Sequence, residues 1–202
     1  RLYLLHVEHN LRGVEQARAE AEQIRELAGA LQLDLRRRRV APGEIDQLAK
    51  AEGVGVEAAA RTLRYRSLGE LAEELELIAL CTGHHEDDQL ETVLLELLRG
   101  APETALGGME ERREFLLPSG GSIPLWRPFL SFSREEVHRF LADAGLVSLD
   151  DESNREERYE RNYLRRQVLP ALFAQRRNNR RGLLQSARRL RRIGAELRDK
   201  DR

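Results

Sequence analysis

The sequence predicts an α/β protein in which a parallel sheet carries helices on both faces. Two observations support this fold class. Short apolar runs alternate with segments of helical periodicity, in the order strand, helix, strand, helix, strand, helix. The runs at the start of the chain and near residue 80 are almost continuously apolar, as strands covered on both faces are. From about Leu106 the pattern changes to a hairpin and then to basic helices, so we expect a small helical region after the sheet.

The first part of the chain contains three predicted strands and four predicted helices. Pro42-Gly43 breaks the chain after the second strand, and Gly100 is typical of the residue that follows a helix. The arginine-rich second strand is expected at an edge, and Cys81 is expected to be buried among apolar neighbours. The predicted strands are Leu2–Val7, Asp34–Val40 and Leu77–Cys81, and the helices are Val14–Leu31, Glu44–Glu52, Val56–Glu74 and Glu86–Arg99.

The second part begins with a predicted hairpin over Glu114–Trp126, whose turn is Pro118–Ser122. Ser133 and Glu136 predict a capping box at the start of a helix that ends at Ala144. A polar loop and two basic amphipathic helices follow, over Arg161–Phe173 and Arg180–Arg198. We therefore predict a catalytic domain over residues 1–150 and a basic helical region over residues 151–202.

Composition limits the class of protein. Charged residues make up 34% of the 202 residues, and no stretch approaches the ~20 apolar residues of a membrane-spanning helix. The first residues lack the pattern of a signal peptide, and Cys81 is the single cysteine. An internal disulfide and a four-cysteine zinc site are therefore excluded, and we expect a cytoplasmic location.

The net charge of −1 hides a strong asymmetry. Residues 151–202 contain sixteen Lys and Arg but only eight Asp and Glu. Between Arg161 and Arg192 there are eleven arginines and no acid. This separation predicts a polyanion, most simply a nucleic acid, as the partner of the basic helices.

The densest group of reactive side chains lies between Gly83 and Thr92, where a buried strand should end and a helix begin. Ligands of open parallel sheets bind at this position. Asp87, Asp88 and Glu91 can share one helix face and bind Mg2+ or an ammonium group. The alternative is that the acids only complement the helix dipole. A zinc site is disfavoured because the histidines lack metalloprotease spacing.

Two further segments are weaker candidates. His6, His9 and Arg12 follow another buried strand and could contact phosphate, so we expect His9 to face the same cavity as the paired histidines. Asp151–Asn154 precedes the arginine helices and is equally consistent with capping. Ser119–Ser122 is not interpreted as a phosphate loop because it joins two strands and precedes no helix.

At these residues the sequence resembles the tRNA(Ile)-lysidine synthetase family of N-type ATP pyrophosphatases. The resemblance covers about residues 2–172, and the block Gly83–Gly100 is its most specific part. The other matching segments, in family order, are His6–Arg12, Val56–Tyr65, Ala105–Met109, Arg127–Leu130, Asp151–Asn154 and Arg161–Pro170.

The resemblance implies an adenine-nucleotide-hydrolase-like fold and a tRNA-modifying ligase. ATP would adenylate the wobble cytidine of an isoleucine tRNA with a CAU anticodon, and the ε-amine of L-lysine would displace AMP. Mg2+ is the implied metal, and a homodimer is one possible assembly. The implied site residues are Asp87, Asp88 and His84 for catalysis, Asp88 and Glu91 for lysine, His6, His9, Arg12 and His85 for the nucleotide, Asp87 for Mg2+, and Arg161, Arg165, Arg166, Arg188, Arg189 and Arg192 for tRNA.

The chain departs from the family pattern in two places. The family's Ser-Gly-Gly-x-Asp-Ser loop is expected upstream of Arg1, and without it we expect no ATP cleavage by residues 1–202 alone. Glu8 stands where the family usually has Asp, which suits an indirect role better than direct ligation. Two alternatives stay open: a thiolase-type tRNA-modifying enzyme, disfavoured by the single cysteine, and a non-catalytic RNA-binding module, disfavoured by the acid and histidine cluster.

Overall fold

A computed structural model describes residues 1–8, 14–102, 105–146, 160–174 and 178–200. The helices and strands follow the predicted order closely. The strands are β1 (Tyr3–Glu8), β2 (Asp34–Arg39), β3 (Leu80–Cys81), β4 (Arg112–Leu116) and β5 (Ser122–Trp126). The helices are α1 (Val14–Ala30), α2 (Glu44–Glu52), α3 (Val56–Glu74), α4 (Glu86–Leu98), α5 (Arg134–Asp143), α6 (Glu160–Tyr163), α7 (Leu169–Ala174) and α8 (Asn178–Lys200), with a π-helical segment over Leu164–Val168.

The strands confirm the α/β fold class. β1 and β2 are parallel, with Tyr3 opposite Asp34 and Glu8 opposite Arg39. α1 forms the crossover that a parallel pair requires. β3, β5 and β4 form a second sheet in that order, and the β4–β5 pair is the predicted hairpin. The expectation that the third strand joins the first two in one parallel sheet is therefore wrong, because β3 pairs with β5 instead.

Two compact units divide the described chain. The first contains residues 1–80 and 114–124, and the second contains residues 81–113 and 125–202. The predicted domain boundary at residue 150 lies outside the described residues and stays a prediction.

The core of the first unit lies beneath β1. Val7 from β1 packs with residues of α2 and α3, including Ile45 and Leu63. Ala59 is fully buried. A small side chain at this position lets the α3 backbone approach its neighbours closely, which supports the end of β1 and therefore Glu8.

The core of the second unit joins α4 to the C-terminal helices. Leu90 of α4 is fully buried and belongs to one cluster with Leu169 of α7 and Leu184 of α8. Burying a leucine side chain contributes about 1.5–3 kcal/mol. These contacts position the first turn of α4 against two arginine-bearing segments of the same unit.

The predicted burial of the third strand is wrong except at Leu80, which is buried. β3 has two residues rather than five, Ile78 is 89% exposed, and Cys81 is also exposed. β3 is an edge strand of the β3–β5–β4 sheet, so apolar composition alone does not indicate that both faces are covered. The capping box of α5 is confirmed, because the Ser133 hydroxyl accepts from the Glu136 amide at 3.2 Å.

None of the helices in the described ranges is long and apolar enough to cross a membrane.

Candidate functional site

The first turn of α4 carries three consecutive acids, Glu86, Asp87 and Asp88. His85 immediately precedes the helix, and its backbone N–H donates to the Asp88 carboxylate at 2.9 Å. Negative side chains at this end complement the helix dipole, which stabilises each by about 0.3–1 kcal/mol. The helix dipole therefore explains why acids are favoured at this position. It does not explain the specific hydrogen bonds and ion pairs that each acid makes.

Asp87 is held by two segments that follow it in the chain. The Arg134 backbone N–H donates to Oδ2 at 2.8 Å, and the Arg180 guanidinium donates to both oxygens at 2.9 and 2.8 Å. Burial acts to raise the pKa of Asp87, but the hydrogen bonds from Arg180 and Arg134 outweigh it, so the pKa lies below its ordinary value. Asp87 is thus a fixed anion. Arg180 also donates to Glu86 at 2.5 Å.

Glu91 is the most deeply buried charge of the cluster. It is 0% exposed and lies one turn after Asp87 on α4. Arg165 donates from Nε to Glu91 Oε1 at 2.5 Å and from a terminal nitrogen to Oε2 at 3.1 Å. Arg161 donates to Oε2 at 2.9 Å. A buried carboxylate needs such compensation, because removing a charge from water costs several kcal/mol.

The two arginines reach Glu91 from an irregular helical segment. Arg161 lies in α6, and Arg165 lies in the π-helical segment Leu164–Val168. Pro170 lies two residues after this segment. A proline lacks an N–H and clashes with the carbonyl four residues before it, which is here that of Arg166. The predicted uninterrupted helix over Arg161–Phe173 is therefore wrong in its middle. A π-turn is a common feature of functional sites.

Asp88 has fewer arginine contacts than Asp87 and Glu91. One oxygen accepts from the His85 backbone, and the other lies 3.3 Å from a terminal nitrogen of Arg165. Its side chain is 15% exposed, whereas that of Glu91 is sealed. Because a carboxylate offers about four acceptor positions, Asp88 retains capacity for another donor.

The paired histidines lie beside these acids in different environments. His84 Nδ1 is 2.8 Å from the Thr82 hydroxyl. His85 Nδ1 is 3.3 Å from an Asp88 oxygen and 3.8 Å from an Asp87 oxygen. The structure brings the His85 imidazole close to both aspartates. The expectation that these residues face the same cavity as His9 stays a prediction, because His9 lies outside the described residues.

The Ala105–Met109 segment is fixed by a buried glutamine, which sequence reasoning did not select as functional. Gln89 donates to the carbonyls of Gly107 and Met109 at 3.2 and 3.1 Å and accepts from the Met109 N–H at 2.8 Å. Gly108 has φ of +67°, and a Cβ there would lie 2.7 Å from the Gln89 amide nitrogen. A glutamine inside the apolar face of α4 was the available signal, because a buried amide requires partners.

The remaining predicted site residues fall into three groups. His6 is half-buried on β1 in the first unit. His9, Arg12 and the segment Asp151–Asn154 lie outside the described residues. Of the arginines predicted to contact tRNA, Arg161 and Arg165 are directed at Glu91, whereas Arg166, Arg188, Arg189 and Arg192 are exposed.

The residues around Asp87 do not provide a ready Mg2+ site. Both oxygens of Asp87 already accept hydrogen bonds, and no group of three His, Cys, Asp or Glu suited to a metal occurs in the described part of the chain. Mg2+ binds through carboxylates and substrate phosphates together, so its binding here stays a prediction.

Residues 1–172 match the family described as the PP-loop domain. The chain is 42% identical over 171 residues to the tRNA(Ile)-lysidine synthase of Chromobacterium violaceum, covering 85% of this chain and 36% of that protein. The enzymes of the same name from Symbiobacterium thermophilum and Bacillus subtilis are 37% and 34% identical, over 85% and 83% of this chain. The chain spans about a third of the length of these three relatives.

A solved structure supports the fold independently. The U34-tRNA thiolase NcsA of Methanococcus maripaludis, determined with its [4Fe-4S] cluster, superposes with a TM-score of 0.70. The likeness covers 93% of this chain and 61% of that one, at 11% identity. At that identity the likeness establishes the fold and carries no information on chemistry.

Proposed function

The chain belongs to the PP-loop domain family, and from that premise we propose that it is the catalytic part of a tRNA(Ile)-lysidine synthase. In this proposal ATP adenylates the wobble cytidine of an isoleucine tRNA and releases pyrophosphate. The ε-amine of L-lysine then forms a C–N bond to the cytosine ring and AMP leaves. Named relatives at 34–42% identity support this choice over a thiolase-type enzyme, to which only the fold is similar.

One observation carries the proposal at the level of the site: Asp88 is an anion with acceptor capacity beside a sealed, neutralised neighbour. Glu91 is compensated by Arg161 and Arg165, so direct contact with a substrate would require an arginine to leave. We propose that Asp88 contacts the lysine ammonium, whereas Glu91 acts mainly through Arg165. Both residues thus stay in the proposed lysine site, with different roles.

The attacking amine must lose its proton before it can bond to carbon. His84 and His85 lie at the same end of α4 as Asp88, and a neutral imidazole is the usual acceptor near neutral pH. We propose that one of these imidazoles takes the proton, directly or through a water molecule. His84 is oriented by the Thr82 hydroxyl, which favours it for this role.

The nucleotide and tRNA roles extend the proposal to the rest of the chain. We propose that Asp87, His6, His9, Arg12 and His85 serve the ATP side of the reaction. The exposed arginines Arg166, Arg188, Arg189 and Arg192 are proposed to contact tRNA phosphates. Phosphate contacts of this kind position RNA without reading its sequence. A cytoplasmic location follows from the same proposal.

The test is Asp88→Asn in the protein at its natural full length. Asparagine keeps the size and one acceptor but removes the charge. A hydrogen bond to a charged group contributes about 1.5–3 kcal/mol, so we expect lysine affinity to fall about 10- to 150-fold. Pyrophosphate release with tRNA, measured in the absence of lysine, should stay near the wild-type rate.

Two further variants make the assay decisive. Asp87→Asn should show the opposite pattern, with pyrophosphate release lost, because Asp87 is assigned to the nucleotide side. Asp143→Asn, at an exposed position near the end of α5, is the matched control and should change neither readout. Loss of pyrophosphate release in Asp88→Asn with unchanged lysine binding would overturn the assignment.

A further inference from the structure

α8 packs against the rest of the second unit along one stripe of side chains. Arg180, Leu184, Ala187 and Arg191 are spaced by four, three and four residues, so they lie on one helix face. Leu184 and Ala187 are buried. Arg180 binds Glu86 and Asp87, and Arg191 donates to the Gly107 carbonyl at 3.1 and 2.7 Å. Ionic and apolar contacts therefore fix the rotation of α8 about its own axis.

A second stripe lies one residue further round the helix. Arg181, Gln185, Arg188 and Arg192 repeat the same spacing, and all four are exposed. Arg181, Arg188 and Arg192 have no carboxylate partner among the residues that the structure describes. Because the first stripe fixes the helix rotation, this second stripe is held outward as a row of uncompensated positive charge.

A cavity of about 260 Å³ lies at the start of the second stripe. Its walls are Glu86, Arg180, Arg181, Leu184, Gln185 and Arg188. Arg180 already uses three nitrogens on Glu86 and Asp87, so it completes the wall without offering free charge. The remaining donors are the guanidinium groups of Arg181 and Arg188, with the Gln185 side chain between them in sequence.

We propose that this cavity binds a phosphodiester group of RNA, held by Arg181 and Arg188 with Gln185 as an additional donor. The cavity is far larger than the ~30 Å³ share of a water molecule, so a phosphate group fits it. Arginine forks match phosphate oxygens in two-donor geometry. The choice of RNA as the source of the phosphate rests on the proposed function.

The length of the stripe favours a polymer over a single phosphate. From Arg181 to Arg192 the helix rises by roughly 16 Å, at 1.5 Å per residue. A free phosphate ion would occupy only the cavity, whereas a backbone would continue along the stripe to Arg192. The proposal adds Arg181 and Gln185 to the tRNA contacts and distinguishes them from Arg161 and Arg165, which face Glu91.

The experiment measures tRNA binding by the full-length protein over a series of KCl concentrations. Each of Arg181→Gln and Arg188→Gln should weaken binding and flatten the slope of log K against log salt by about 0.7–0.9. Arg139→Gln removes an exposed arginine of α5 in the same unit and is the charge-matched control, expected to keep the wild-type slope. Arg181→Lys should restore part of the slope, because it keeps the charge.

The source of the phosphate is resolved by two further arms. Dephosphorylated tRNA should show the same loss in Arg181→Gln as phosphorylated tRNA, and inorganic phosphate should compete only weakly. Dependence on the terminal phosphate would overturn the phosphodiester assignment. If Arg181→Gln and Arg188→Gln gave the same salt slope as Arg139→Gln, the proposal that this cavity binds a phosphodiester would be overturned. If only the cavity proposal is wrong, Asp88→Asn should still lose lysine affinity while keeping pyrophosphate release. If the proposed function is wrong, Asp88→Asn should not show that combination.

Discussion

Glu8 and Glu91 are both buried glutamates held by two arginines, but the arginines arrive by different routes. Glu8 closes β1 and is bound by Arg39 at 2.9 Å and Arg37 at 3.4 Å from the adjacent strand. Glu91 is bound by Arg161 and Arg165, which lie 70 and 74 residues later in the chain. The first arrangement follows from strand register, and the second requires tertiary packing.

The two arrangements also differ in their access to water. The side chains of Arg37 and Arg39 are 40% and 69% exposed, whereas those of Arg161 and Arg165 are 26% and 22% exposed. An exposed arginine that loses its partner is solvated again, but a half-buried one is left with an uncompensated charge. The same pair of residue types should therefore contribute different amounts to stability in the two units.

The largest expected effect is that of Glu91→Gln. Removing one partner of a buried ion pair costs about 3–5 kcal/mol, because the opposite charge stays buried. Glu8→Gln should cost about 0.5–1 kcal/mol, since water can reach its two arginines. Urea unfolding of both variants measures the difference, and the exposed Glu135→Gln serves as the control. Equal losses at Glu8 and Glu91 would contradict the comparison.

A smaller effect is expected when the shape of the arginine is changed and its charge is kept. Arg165 holds both oxygens of Glu91 through two nitrogens, whereas Arg39 holds Glu8 through Nε alone. Arg165→Lys should thus cost about 1.5–3 kcal/mol, close to the value of one hydrogen bond to a charged group. Arg39→Lys should leave the free energy of unfolding almost unchanged. A tolerated Arg165→Lys would show that charge alone holds Glu91.

Local sequence patterns predicted much of the fold. The bounds of α2 and α3 and the capping box of α5 were predicted correctly, because helical periodicity and capping are local patterns. The β4–β5 hairpin was also recognised from its turn. The exposure of the chain near Ile78 was not predicted, because an apolar run does not indicate whether neighbouring elements cover both faces of the strand.

The candidate site could be predicted in position but not in partners. The His85 imidazole lies within 3.8 Å of carboxylate oxygens of Asp87 and Asp88, but the roles assigned to these residues stay predictions. The ion pairs of Glu91 join residues about 70 positions apart, and no spacing rule connects such residues. The π-helical segment that presents Arg165 differs from an α-helix by one residue per turn, which apolar periodicity does not resolve over five residues.

The smallest expected effect concerns Asp87, whose carboxylate is more exposed than that of either glutamate, although its partner Arg180 is less exposed than the arginines of Glu8. The side chains of Asp87 and Arg180 are 24% and 28% exposed. Although burial acts in the opposite direction, hydrogen bonds from Arg180 and Arg134 hold the pKa of Asp87 below its ordinary value of about 3.9. The carboxylate therefore contributes stability that is fully present above the unfolded-state pKa and is lost as the pH falls through the lower folded-state pKa.

Asp87→Asn should accordingly be less stable than the wild type at neutral pH and approach it in acid. The measurement is the urea midpoint of both proteins from neutral pH down to the acid-unfolding range. Asp143→Asn, which removes an exposed carboxylate of the same unit, should follow the wild type at every pH. A gap between Asp87→Asn and the wild type that widens in acid would mean that burial, rather than Arg180, dominates the pKa of Asp87. Its site would then resemble neither Glu8 nor Glu91, because the proton and not the arginine would neutralise the buried charge.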